Sequence, residues 1–591
     1  MIFLLFLLLL LIQGFASNEI YISSNGTSEA SCGSIHSPCL SLSDITQWEN
    51  DTVVIIEGSI VLDRVIEIHA IHNLTFTSSS ANGSNEKEKA AVINCVCPSY
   101  NNCGLIIEGC QDVTFNELSV FGCSMKYELH VLRRYYYRSG ILMSATTSIT
   151  INNVSISNNI GTGLILINAA GNITIEGSIF SNNSIPYALQ QNGLNGKAVH
   201  GGAGLVILIS ACEITAMNCS YVSASGNYTI RGTVFIDNAV NLTSKNNRYW
   251  FLGYGGGLGI LLILNVQWNT FNIENSNFTS NAANSGGGMV WHCARLCNNN
   301  EMNLSRCSFS NNYVSVNDSG GGALSMGIEP YSGNVSTNNN ITVTEVTFSS
   351  NTGYYAGGVL VYCNALDSDK SIKSYNYVNF IESYWENNSG TANAAVYIEP
   401  NFKSQYYSTF TTKTTFKNCS FSHNTIQRYY DPAKAPSYTF KEDVGVFVIA
   451  KLTVYFKGSN TFYNNSGTAL YIKSGSAFFK EGAVTEFISN RGFAGGAIRL
   501  VGYSNIQYNN DTNFTFINNS ADVVGGAISA STATAISLSS HSCFLQYLND
   551  ENEHLYETNA RFSFIDNWSS TGIADSIFLN TINPSRVCLL V

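Results

Sequence analysis

FISNRGFAGGAI, residues 487–498, is followed by FINNSADVVGGAI, residues 516–528. Each opens on Phe, places Asn three positions later, runs through polar residues to a Gly pair, and ends in a small apolar run. The same aromatic-x-x-Asn unit occurs at Phe180/Asn183, Phe235/Asn238, Phe278/Asn281, Phe309/Asn312, Phe348/Asn351, Trp385/Asn388, Phe421/Asn424, Phe462/Asn465 and Phe564/Asn567, with a weaker copy at Ile156/Asn159. Most copies precede a small pair, among them Gly286-Gly287, Gly357-Gly358 and Ala394-Ala395. The closest copies lie 24–25 residues apart and the rest are spread up to 55. A fixed minimum with variable excess describes one structural unit carrying loop insertions, and a period in the twenties describes a solenoid.

The residues between the landmarks select the kind of solenoid. ITVTEVTFSSN, residues 341–351, is β-branched and aromatic, which disfavours helical repeats. The consensus of a leucine-rich repeat is absent. A parallel β-helix remains, each coil built of short strands joined by turns. Val346 and Phe348 share a strand face by period-two alternation, so the aromatics point inward and stack coil upon coil. Asn351 is expected at a turn, in left-handed backbone, with its amide bonded to its counterparts on adjacent coils. The Gly pair lets the chain bend without a Cβ penalty. On this reading nearly all of the motif is scaffold. The fold class is all-β: a single-stranded, right-handed parallel β-helix solenoid with an N-terminal cap.

The chain has 591 residues and a formal net charge of −11, which disfavours nucleic acid and anionic membrane as partners. Charged residues make up 12%, about half the usual share, yet 32 Tyr and 32 Phe argue against disorder. MIFLLFLLLLLIQGFAS, residues 1–17, reads as a signal peptide, which implies an extracellular, secreted or cell-surface protein with no membrane span after cleavage. GLGILLILNV, residues 257–266, is too short to span a bilayer and reads as a buried strand. About twenty N-x-S/T sequons, including Asn25, Asn73, Asn153, Asn277, Asn387 and Asn567, exceed the roughly dozen that composition alone provides, and mark glycosylation candidates. Residues 18–50 form the expected cap: Leu42, Ile45 and Trp48 recur at helical spacing, and Cys32 with Cys39 brackets the segment as a disulfide candidate. The β-helix then occupies 51–591, with clear repeats over about 150–570.

The doubled FxxN and GGA[ILV] pattern resembles the repeat of chlamydial polymorphic outer-membrane proteins and of secreted β-helices of the pectin-lyase-like class. GSIHSPCLSLSDI, residues 33–45, resembles the N-terminal cap of such secreted proteins. The resemblance implies the fold, but little about function, because this superfold hosts lyases, hydrolases, adhesins and phage spikes. The bacterial proteins carry an outer-membrane barrel after their repeats. No alternating ten-residue segments follow the last repeat here, so anchoring by that route is not expected.

Candidate chemistry is sparse. Polysaccharide-cleaving enzymes need clustered carboxylates, whereas the 40 acidic residues are scattered. NDENEH, with Asp550, Glu551, Glu553 and His554, reads as a solvated insertion, as does Lys441-Glu442-Asp443. The nine His show no metal spacing, so neither a catalytic set, a cofactor nor a metal is assigned. LRRYYYRSG supplies Arg133, Arg134, Tyr135, Tyr136, Tyr137 and Arg138, a set able to stack on sugars or bind acidic glycans, and QRYYDP at 427–432 is similar. Cys95, Cys97, Cys103, Cys110 and Cys123 suggest disulfides with one thiol over, Cys293 and Cys297 suit a local pair, and Cys307 and Cys419 are expected as buried free thiols. Two functions follow: a non-enzymatic binding or adhesion scaffold for an extracellular glycan or protein, or a polysaccharide lyase or glycoside hydrolase of the pectin-lyase-like class.

Overall fold

The computed structural model describes residues 18–79, 91–97, 102–128, 136–185, 200–211, 223, 225–240, 252–294, 296–314, 320–329, 337–363, 376–391, 393–400, 412–427, 444–531, 544–547 and 559–580. One coil shows the plan. Thr270–Glu274 runs in the first sheet, Asn277–Thr279 in the third, Ala282–Ala283 in a short fourth, and Met289–Ala294 in the second. The chain then returns to the first sheet at Glu301–Ser305, beside Thr270–Glu274 in parallel register. Repeating this circuit builds a first sheet of sixteen strands, from Asn18–Thr27 to Leu545–Tyr547. Among the described strands every pairing is parallel but one, the hairpin of Met125–Glu128 with Tyr136–Ser144. The fold is therefore a parallel β-helix solenoid, and its sixteen rungs at ~4.8 Å span roughly 72 Å.

The repeat motif accounts for the interior. The third-sheet aromatics stack face to face in one column from Phe180 to Phe564, with centroid separations of 4.4–5.2 Å. Trp385 takes the place of Phe in that column. Each buried ring contributes about 1.5–3 kcal/mol of transfer free energy, and each stacked pair about 0.5–1.5 kcal/mol more. Beside the column runs a ladder of Asn side chains, Asn159 to Asn567. Each Nδ2 donates to the Oδ1 of the next rung at 2.7–3.1 Å. All twelve Asn of the repeat take part.

The reason for Asn differs from the expected one. Left-handed backbone falls on the preceding residue: Ser350, not Asn351, has φ 55°, and Asn311, Asn387 and Asn464 take the same position on other coils. The ladder residue is selected because its amide fills a dry corner and leaves neither oxygen nor nitrogen unpaired. Asn388 illustrates this. Its Oδ1 accepts from Asn351 N (3.0 Å) and Nδ2 (2.9 Å), while its Nδ2 donates to Phe348 O (2.8 Å) and Asn424 Oδ1 (3.0 Å). The Gly pair has a steric reason as well as a torsional one. A Cβ on Gly287 would lie 2.4 Å from the carbonyl oxygen of Gly322 on the adjacent coil.

Small polar residues hold the turn between the first and third sheets. Ser276, Cys307, Ser383 and Cys419 are equivalent positions there, each bonded to the carbonyl two residues earlier. Cys307 and Cys419 are buried free thiols, and burial pushes both up to about 12. The cysteines Cys95–Cys123, Cys97–Cys103, Cys293–Cys297 and Cys32–Cys39 are bonded, and Cys110 is the thiol left over. The helical spacing over 42–48 is realised as a single 3-10 turn, Leu42–Asp44, with Ser41 and Asp44 in a capping box. Leu42 is buried, and Trp48 approaches Phe76 at 6.2 Å.

Candidate functional site

The two wide sheets treat their outward faces differently. In the first sheet the outward face is largely accessible, with a polar row through Thr75, Thr114, Thr150, Thr174 and Thr229. In the second sheet both faces are buried on many strands, among them Thr162–Ile167, Leu205–Ser210, Leu258–Ile263, Met289–Ala294 and Gly445–Ala450. Over its early coils the outward residues are aliphatic, with Leu142, Ile165, Val206, Leu261 and Val290 in a cluster separate from the main core. Leu258–Ile263, the strand expected from GLGILLILNV, is buried on both faces there.

Along the later coils this outward face changes character. His292, Tyr362, Tyr397, Glu399, Tyr471 and Arg499 replace the aliphatic residues. The parallel register fixes their order. Tyr362 lies beside Glu399, while Tyr397 leads through Val448 and Tyr471 to Arg499. His292 Nδ1 and the Tyr362 hydroxyl are 3.0 Å apart. The Tyr397 hydroxyl donates to Glu399 Oε2 at 2.6 Å, and the Tyr397 ring stacks on Tyr355 at 5.8 Å. The Arg499 guanidinium lies 5.5 Å from the Tyr471 ring centroid.

Burial gives this strip its chemistry. Glu399 is 9% exposed, and desolvation pushes its carboxyl up to about 7, against the lowering influences of the Tyr397 hydroxyl and Lys451. Burial raises the Tyr397 phenol as well, and the neighbouring carboxylate adds to it. A carboxyl that exchanges its proton near neutrality can act as acid or base, and the tyrosines and Arg499 supply stacking and donor groups. Among the described residues no three His, Cys, Asp or Glu side chains are placed to hold a metal ion. This strip escaped the sequence reading. Its signal is Tyr-x-Glu at period two in NAAVYIEP, residues 393–400, and nothing in those letters reveals that both faces are buried.

The site residues expected from sequence are dispersed. Arg133, Arg134 and Tyr135 lie outside the described residues, as do the side chains of Tyr136 and Tyr137. Arg138 is half-buried in the antiparallel hairpin, opposite Lys126. Residues 428–432, Lys441 to Asp443 and Asp550 to His554 lie outside the described residues, as does the leader at 1–17. Asn25, Asn73, Asn153, Asn277 and Asn387 are exposed. Asn567 is buried as the last rung of the ladder, and its Nδ2 donates to Phe516 O at 3.0 Å. A glycan on that nitrogen is incompatible with the folded ladder. Sequons of the form Asn-Asn-Ser resolve this at other coils: in Asn387-Asn388-Ser389 the first Asn is exposed and the second is the rung.

No family model matches the chain, and no curated protein does either. Among solved structures the chain is similar to a rhamnogalacturonan lyase, with 9% identity and a TM-score of 0.29 over 66% of this chain and 89% of that one. It is also similar to PfbA, a surface adhesin of Streptococcus pneumoniae, with 11% identity and a TM-score of 0.24 over 72% of this chain and 83% of that one. These are likenesses of shape at low similarity, and neither decides what the chain does.

Proposed function

We propose that the protein is an extracellular binding scaffold that contacts a glycan or protein ligand through insertions flanking the second sheet. The observation that supports this is where the chain is long. Turns from the first to the third sheet in the middle coils are short, such as Glu274 to Asn277 and Thr344 to Thr347. Long connections instead lead into or out of second-sheet strands: Ser210 to Gly226, Cys363 to Asn376, Pro400 to Thr412 and Ile426 to Gly445. Two further long connections, after Asn183 and after Asn238, also lead into second-sheet strands from equivalent positions. Equivalent turns stack in a solenoid, and loops carried on a rigid frame are where contact residues concentrate. Screening the secreted protein on a glycan array tests the reading. Shortening 401–411 and 427–444 to the length of the plainer coils should preserve the thermal midpoint and abolish binding to the array hits. Unchanged binding would move the contact surface elsewhere.

A second reading, a carbohydrate-active enzyme, draws on one feature: the Glu399 carboxyl titrates near 7 beside Tyr397. Release of reducing or unsaturated sugar ends from polysaccharides, lost in Glu399→Gln, would favour it over the scaffold.

A further inference from the structure

We infer that the outward face of the first sheet carries a second binding site, for a linear polysaccharide bearing sulfate or carboxylate groups. It is built from Lys417, Lys457 and Lys480 beside Tyr455 and Phe478. Lys417 and Lys457 are direct register partners. Phe456 pairs with Phe479, so Lys480 continues the same row one coil further, and its N–H bonds the Phe456 carbonyl at 3.0 Å. Three lysines are thus carried one per coil, on strands ~4.8 Å apart along the rod. The adjacent outward row runs Thr415, Tyr455, Phe478 and Gln507. Lys480 Nζ lies 4.2 Å from the Phe478 ring centroid and 5.7 Å from that of Tyr455.

The same row supplies an internal comparison. Earlier coils place Glu176, Arg231 and Glu274 in register along it. Those charges alternate in sign, and Arg231 pairs with Glu274 at 3.4 Å. Alternation is what stability alone favours, because like charges on adjacent strands repel. The lysine stretch does the opposite in a chain whose net charge is −11. Among the described residues none of the three lysines pairs with a carboxylate, although Glu382 and Glu481 occupy nearby turns. Lys417 and Lys457 are exposed, and Lys480, Tyr455 and Phe478 are partly so.

A fold does not require a self-repelling row, whereas a ligand with regularly spaced anions does. The pitch of the coils is of the order of one sugar residue, so a polysaccharide lying along the rod presents an anionic group to each lysine. Tyr455 and Phe478 then offer flat faces to the pyranose rings. The narrow line of three cations and the negative charge of the whole disfavour nucleic acid. This site lies where the first-sheet strands end and turn toward the third sheet, at the opposite strand ends from the connections with the second sheet, and it stands or falls independently of the insertions.

The test uses the secreted full-length chain with four probes: heparin fragments, oligogalacturonate, neutral dextran fragments and oligothymidylate. Binding is measured by calorimetry at stepped salt. Binding is expected to heparin, oligogalacturonate or both, with the stronger of the two showing whether sulfate or carboxylate is preferred, and none to dextran. Lys417→Gln/Lys457→Gln/Lys480→Gln should weaken it by at least about tenfold and flatten its salt dependence. The corresponding Arg triple should retain it, and Tyr455→Ala/Phe478→Ala should weaken it without changing the salt slope. Without ligand, the Gln triple should melt no lower than the parent, because a repulsive row has been relieved. Undiminished binding by the Gln triple would overturn the site. So would equal loss in the charge-matched control Arg64→Gln/Lys473→Gln/Arg561→Gln, tighter binding of oligothymidylate, or no binding of either anionic polysaccharide.

Discussion

At Glu399, burial keeps a proton on a carboxyl group at a pH where exposed carboxyls have lost theirs. The consequence for stability has a definite sign. The group titrates at about 7 in the fold, against an ordinary value of 4.5. Between those values the unfolded chain has released its proton and the folded chain has not. The native state then binds more protons, so its stability falls as pH rises through this window and levels off above about 7. Glu399→Gln keeps an acceptor for the Tyr397 hydroxyl and removes the titration. Relative to that variant, the parent should lose about 3 kcal/mol between pH 4.5 and 7.5. Denaturant midpoints of both proteins at the two pH values measure it, and parallel profiles would show that Glu399 is not held neutral.

At the scale of the ladder, one Asn serves two coils at once. Asn388→Ala would take the side-chain acceptor from the Asn351 N–H and Nδ2, and one donor from the Phe348 carbonyl, in a dry interior. Each orphaned group costs about 1–3 kcal/mol, so a loss of about 3 kcal/mol or more is expected. Asn567→Ala removes the last rung, which has a neighbour on one side only, and should cost clearly less. Chemical denaturation of the two variants checks the order, and equal costs would mean that the ladder is not continuous. This ladder was legible in the sequence because its Asn follows an aromatic at a fixed offset. A second ladder, Asn269–Asn300–Asn339–Asn376, was not. Its members sit in Asn-rich runs such as NNNEMN and TNNNIT, where composition hides position. The early coils were illegible for a related reason. Ile60, Ile93 and Val120 occupy the column that Ile156 and Phe180 continue, and interchangeable aliphatic residues leave no motif. The Glu399 strip and the lysine row were hidden more deeply. Both depend on which residues of separate coils become neighbours, and the insertions vary that spacing from coil to coil.

Over the whole molecule, each coil touches mainly the coil before and the coil after, so the rod should tolerate the loss of one complete circuit. Val346 and Ser383 occupy the same corner on successive coils: Tyr384 N–H bonds the Val346 carbonyl at 2.9 Å, and Tyr384 is in register with Thr347. Deleting residues 347–383 therefore joins the chain at equivalent points. In the shortened protein Trp385 would stack on Phe309, and Asn312 would donate to Asn388, restoring both columns. Deleting 347–363 instead removes Thr347–Ser349 and Val359–Cys363 but keeps Asn376–Ile381, so the third and second sheets each lose a rung that the first sheet retains. Register then fails on every later coil, and a one-residue slip is enough to turn core side chains outward. The complete-coil deletion should fold, keep its β-sheet circular dichroism, and shorten in small-angle scattering by ~4.8 Å. The partial deletion should fail to give a soluble folded rod. If both deletions unfold alike, the coils are not independent neighbours, and stability must be shared over longer stretches than adjacent rungs.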